Sequence, residues 1–199
     1  MKSNLVATIT RAKGLCLALA LITSFAASSN AQVLGEKPWT TVGVAGTVSP
    51  TDTNDVAYFG GGWVGLTSTA SSARINYNVV AVDGLLESGI QLTRARLTVK
   101  FLDNGANAHV RATLKEFPLN NTLGFGSTLM TLNSDNYPAD DQFQTQSVSC
   151  SFPPFTFDFV NNAYFIEVEI DRPAGSNGKV GLAVMQLGMT TAPCITGSN

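Results

Sequence analysis

Glu167 and Glu169 stand two residues apart in a stretch that alternates apolar and polar side chains from Tyr164 through Asp171. On an extended strand such a pair shares one face at a separation of about 7 Å. That lies between the limits of about 5 and 9.5 Å over which two carboxyls cooperate in cleaving a glycosidic bond. The same pattern has a plainer use, because charge on the open side of a strand discourages edge pairing. A catalytic acid also needs an apolar setting to raise its pKa. The pair therefore supports a carbohydrate-active enzyme as the alternative reading of function, behind a non-catalytic one.

His109 is the one histidine of the chain, between Ala108 and Val110 on the polar face of another alternating run. A Ser-His-Asp or Cys-His site would have to use it, and no Gly-x-Ser-x-Gly elbow accompanies it. It reads as a solvated strand residue. With a single histidine, a zinc or copper site has too few ligands, and no cofactor is expected.

Asp135, Asp140 and Asp141 fall in one turn-rich segment with Asn133 and Asn136. Closely spaced oxygen ligands are what Ca²⁺ requires, so these three aspartates are the candidate calcium set, although their spacing matches no defined calcium loop. Asp52, Asn54 and Asp55 form a weaker second cluster of the same kind.

The aromatic residues carry a binding hypothesis. Tyr58, Phe59 and Trp63 flank three consecutive glycines, and Trp39 and Tyr137 are large rings in polar surroundings. Ring faces stack on sugars or fill a partner's pocket. Trp39, Tyr58, Trp63 and Tyr137 are the candidate binding residues, set against the several rings that a sandwich core needs for itself.

The N-terminus has the order of a secretory signal. Lys2, Arg11 and Lys13 precede an apolar run over residues 15–25, and Ser29-Asn30-Ala31 supplies a small-x-small cleavage site. The run is too short to span a bilayer. Residues 1–31 are therefore expected to be a cleaved signal peptide and residues 32–199 a single mature domain, with no transmembrane segment after cleavage. Cys16 lies within the signal, which leaves Cys150 and Cys194 as the mature pair. An even count in an exported chain predicts a disulfide between them.

Twelve Lys and Arg stand against fourteen Asp and Glu. Loss of the three cations of the signal leaves nine against fourteen, a mature charge near −5. No basic stripe tracks phosphates, so nucleic acid is excluded as a partner.

The elements that must position these residues are strands. Ala95, Leu97, Val99 and Phe101 alternate with Arg94, Arg96, Thr98 and Lys100. After Asp103-Asn104-Gly105, a turn sequence, Ala108, Val110, Ala112 and Leu114 alternate with His109, Arg111, Thr113 and Lys115, which predicts a hairpin. A second hairpin is predicted from the 164–171 run, a turn over residues 173–178, and a returning strand over 179–187 that buries Val180, Leu182 and Val184. That last strand is apolar on both faces, the mark of a central or covered strand. Weaker candidates lie at residues 40–48, 56–59, 63–67, 74–82, 127–132, 144–150 and 155–159. Nine or ten strands punctuated by Gly, Pro, Asn and Asp predict an all-β fold, a two-sheet antiparallel β-sandwich of jelly-roll or Greek-key type.

Residues 83–116 and 155–187 resemble a set of uncharacterised bacterial secreted β-sandwich proteins. The resemblance rests on Gln91-Leu92-Thr93-Arg94-Ala95, on Asp103-Asn104-Gly105, and on Asn161-Asn162-Ala163-Tyr164-Phe165. It implies the fold and an exported location, secreted, periplasmic or at the cell surface, and brings no activity. The expectation is an exported non-catalytic sandwich serving as a surface or envelope binding or structural module, with a glycan or another cell-surface molecule as partner.

Overall fold

The computed structural model describes residues 37–86, 94–105, 107–120, 126–149 and 156–190. The expected signal peptide, residues 1–31, and the expected disulfide partners Cys150 and Cys194 lie outside the described residues.

The described residues form eleven strands: β1 (Trp39–Val42), β2 (Thr47–Val48), β3 (Val56–Phe59), β4 (Trp63–Leu66), β5 (Ser72–Val79), β6 (Arg94–Asn104), β7 (His109–Pro118), β8 (Ser127–Asn133), β9 (Asp140–Ser149), β10 (Asn162–Asp171) and β11 (Lys179–Thr190). One short helix, α1 (Asp83–Leu86), follows β5. Sheet A runs β3-β4-β11-β6-β9, with β1 also paired to β11, and sheet B runs β2-β5-β10-β7-β8. Every pairing is antiparallel. Among the described residues no helix is long and apolar enough to cross a membrane.

Alternation places one face of each sheet in a shared core. Leu97, Val99 and Phe101 of β6 and Leu182, Met185 and Leu187 of β11 meet Val110, Ala112 and Leu114 of β7 and Ile166, Val168 and Ile170 of β10, all fully buried. Each large side chain so buried contributes about 1.5–3 kcal/mol. The expected core positions Leu97, Val99, Val110, Leu114, Ile166, Val168 and Leu182 are all among the buried residues.

Neither predicted hairpin forms. β6 pairs with β11 and β9, and β7 pairs with β10 and β8, so the turn at Asp103 to Gly105 carries the chain from one sheet to the other. The connection from β10 to β11 does the same. Turn chemistry and period-two alternation are alike in a hairpin and in an inter-sheet corner, because both demand a reversal and one apolar face. The expected strand over residues 40–48 is divided by a 3₁₀ turn, Gly43–Ala45, which passes the chain from β1 in sheet A to β2 in sheet B. Tyr77 of β5 donates its hydroxyl to the Gly43 carbonyl at 2.5 Å and pins that crossing. The candidate strand over 155–159 is irregular in its described part.

β11 is the central strand of sheet A, as its two apolar faces suggested, but its alternation breaks. Leu182 pairs with Phe101 and Val184 with Lys100, so Ala183 is an extra residue in the strand. One inserted residue inverts the faces beyond it. Met185 and Leu187 therefore point into the core, and Val184 turns to the outer face, opposite to its expected position.

Candidate aromatic cleft on the outer face of sheet A

The β3–β4 hairpin turns through Gly60, Gly61 and Gly62, with Gly62 at φ +82°, a conformation suited to glycine. Phe59 and Trp63 close it as a cross-strand pair. Val64 points into the core, so its neighbour Trp63 points outward, and Phe59 lies on the same side. The two rings stack at 3.6 Å between centroids and 5° between planes. Phe143 of β9 meets Trp63 edge-on at 5.6 Å.

Phe143 reaches this position through an irregularity. Phe101 pairs with Gln144 and Asp103 with Asp140, so β9 spends extra residues over Asp141, Gln142 and Phe143 and bows away from β6. Between the bow and the β3–β4 hairpin lies a cleft of 390 Å³, with Leu102 and Val180 among its lining residues and Asp141, Gln142, Arg172 and Lys179 supplying polar groups. Arg172 is occupied: its guanidinium donates to the carbonyls of Ala70, Gly178 and Thr67 and ties three loops together. The side chains of Asp141, Gln142 and Lys179 have no hydrogen-bond or ion-pair partner among the described residues, and all three are available at the cleft.

Of the four candidate binding residues, Trp63 alone lines the cleft. Trp39 is buried in the core opposite Leu187. Tyr137 packs half-buried against the core, with its hydroxyl 3.5 Å from the Ser147 carbonyl and its pKa raised by burial. Tyr58 is exposed and sits between Ala57 and Phe59 on β3, facing the other way from Phe59. Phe143 and Lys179 were missed, although a single ring on the polar face of Thr145 and Ser147 was a readable signal. So were Gly65 and Gly181, since a glycine inside a strand marks a close approach.

The candidate calcium residues do not converge. Asp135 accepts from the Asn133 side chain in the turn after β8, Asp140 accepts from the Gln142 amide, and Asp141 lines the cleft. Adjacent residues of a strand point to opposite sides, which separates Asp140 from Asp141. Among the described residues no three His, Cys, Asp or Glu side chains are grouped to hold a metal ion. Asp52 instead accepts from the Arg74 amide and the Thr51 hydroxyl, bracing a turn.

Glu167 and Glu169 do share a face, the outer face of sheet B. Lys115 reaches Glu167 at 2.6 Å, and Arg111 and Arg74 reach Glu169 at 3.2 and 3.4 Å. The same ladder ends at His109, whose Nε2 lies 3.1 Å from Asp171. Burial, and then the charge of Glu169, push the Asp171 carboxyl up, while His109 and Arg111 oppose them.

No protein-family model matches the chain, and neither does any curated protein sequence. Among solved structures the chain is weakly similar to carbohydrate-binding sandwich modules. One is the CBM36-1 domain of a multidomain xylanase from the hindgut metagenome of Trinervitermes trinervoides, at 12% identity and TM-score 0.43, covering 76% of this chain and 97% of that one. Others are the xylan-binding module CBM15, at 11% identity and TM-score 0.41 over 79% and 94% of the two chains, and a family 30 carbohydrate-binding module, at 14% and 0.41 over 83% and 92%. Likeness of this degree assigns neither a family nor a ligand to the chain.

Proposed function

We propose that this chain is a non-catalytic sandwich module that binds a glycan in the cleft formed by Phe59, Trp63 and Phe143. The observation that carries this reading is the stacked Phe59–Trp63 pair on an outer sheet face, beside the unengaged side chains of Asp141, Gln142 and Lys179. Ring faces take the apolar faces of sugars, and a few convergent polar groups fix hydroxyl positions. The paired-carboxylate enzyme gains no such support. Glu167 and Glu169 are held by three cations, and neither lines the cleft.

Affinity electrophoresis of the wild type and Trp63→Ala through gels containing soluble polysaccharides tests the reading. Retardation of the wild type by at least one polysaccharide, lost in a Trp63→Ala variant of unchanged circular dichroism, is the expected result. Equal retardation of the two proteins, or none of the wild type by any polysaccharide, would refute it.

The same proposal includes export of residues 32–199 after removal of residues 1–31, and a Cys150–Cys194 bond. Both rest on the order of charges and small residues in the leader and on the even cysteine count. Intact-mass measurement of exported protein should give a chain that starts at Gln32, and thiol titration under denaturant should find no free cysteine.

A further inference from the structure

A second groove, of 200 Å³, lies on the outer face of sheet A and is lined by Thr40, Thr98, Lys100, Thr145, Val184 and Gln186. It adjoins the aromatic cleft. Phe143, in the cleft, and Thr145, in the groove, lie two residues apart on one face of β9, and the Lys100 ammonium sits 6.0 Å from the centre of the Phe143 ring. Val184 is present because the extra residue Ala183 turns it outward.

The charges of the two outer faces differ. On sheet B, Arg74, Arg111 and Lys115 are all held by Glu167 and Glu169. On sheet A, neither Lys100 nor Lys179 has an ion-pair partner among the described residues. Lys179 pairs in register with Asn104, four residues along β6 from Lys100. The two cations thus stand about 13 Å apart along the strand, one at the cleft and one in the groove. The groove is lined by three threonines, Val184, an amide and an ammonium, with no carboxylate, whereas the cleft holds the carboxylate of Asp141 beside the Lys179 ammonium.

We propose that the groove is a second subsite for the same sugar chain and that it takes a unit bearing an anionic group, a carboxylate or a sulfate, through Lys100. This rests on the glycan reading of the cleft. The uncharged unit lies on Trp63 and Phe59 with its hydroxyls toward Asp141 and Gln142. The next part of the chain passes Phe143 and places its charge against the Lys100 ammonium, flanked by Thr98, Thr145 and Gln186.

Titration calorimetry with matched pairs tests this: hyaluronan, which alternates a carboxylate-bearing with an uncharged unit, and its methyl ester, κ-carrageenan and its desulfated form, and an uncharged β-glucan. The acidic member of one pair is expected to bind about tenfold more tightly than its neutral partner, the worth of one charge-assisted contact. Which pair shows the preference distinguishes carboxylate from sulfate. Lys100→Gln should abolish the preference, bringing the affinity for the acidic member down to that for the neutral one, while Lys115→Gln, the same charge change on sheet B, should leave the preference intact. Equal binding of acidic and neutral members, binding of the β-glucan alone, or equal effects of the two lysine variants would overturn the second subsite and leave the glycan reading standing. Absence of binding to every polysaccharide would overturn the glycan reading itself.

Discussion

Gly65 and Gly181 face one another across β4 and β11, and the ring of Trp63 rests on both. A Cβ at either position would fall 2.9 Å from the Trp63 ring and 2.7 Å from a backbone carbonyl, that of Val180 for Gly65 and of Val64 for Gly181. Neither carbonyl can give way without moving its strand. Gly181→Ala should therefore lift the indole off the sheet, separate it from Phe59 and destabilise the fold by about 1–3 kcal/mol. Tryptophan fluorescence together with urea melts will check it; an unchanged emission spectrum would show that the glycine floor does not set the ring's position.

Within β6 the two faces should respond very differently. Leu97→Ala is expected to cost about 2–5 kcal/mol, since transfer and cavity terms add. Lys100→Gln, on the outer face of the same strand, should stay within about 0.5 kcal/mol. Arg96 shares that outer face, yet its Nε and Nη1 are buried without a hydrogen-bond partner among the described residues, and burial lowers its pKa. Arg96→Met should accordingly leave the urea midpoint unchanged or raise it, because an apolar chain removes unsatisfied donors. A large loss at Arg96 would place a binding partner on its guanidinium.

Asp103 continues the inward face of β6 at the rim of the core, 3% exposed, with Oδ1 unpartnered among the described residues. Burial pushes its carboxyl above the usual range, and Asp135 adds to this, while the Ser134 hydroxyl and His109 oppose it. A carboxyl that holds its proton more tightly when folded makes stability fall as pH rises, from the unfolded value of about 3.9 upward through the folded one. Asp103→Asn should therefore raise the urea midpoint at pH 7, and the gain should shrink toward pH 4. A gain that does not vary with pH would mean that the carboxyl is not the cause.

Arg172 holds the carbonyls of Thr67, Ala70 and Gly178 with one planar fork. Lysine presents a single point charge in place of that fork. Arg172→Lys should lose about 1–3 kcal/mol, because at least one buried carbonyl is left unmet. Thermal unfolding of this variant beside Lys179→Gln, which lines the same cleft without structural partners, separates the two roles.

The inward set of β6, β7 and β10 was legible because alternation reports directly which side of a strand is apolar. What alternation does not carry is the identity of the neighbouring strand. Ala108 to Leu114 looks the same whether it lies beside Leu97 or across the core from it, so both hairpins were expected where the chain in fact changes sheets. The inserted Ala183 is equally silent: Val180 to Leu187 reads as a strand apolar on both sides, whereas one side is apolar up to the bulge and the other beyond it. The cleft was half legible. Trp63 and the glycine turn were visible in sequence, but Phe143 comes from 80 residues further on, through pairings of β9 with β6 and of β6 with β11 that no local pattern encodes.

The place of β11 at the centre of sheet A also governs the order in which structure can be acquired. β1, β4 and β6 all pair with this late strand, and β9 joins the sheet only through β6. A growing chain that has reached residue 178 has nothing to join its first strands to β6, and the apolar face of β6 lacks its main neighbour. Pairings so distant along the chain are formed slowly, on a timescale of about milliseconds to seconds for sandwiches. The domain therefore cannot close while it is still being made; folding waits for residues 179–190, and until then the chain is open to unfolded-state binders such as holdase chaperones and to self-association.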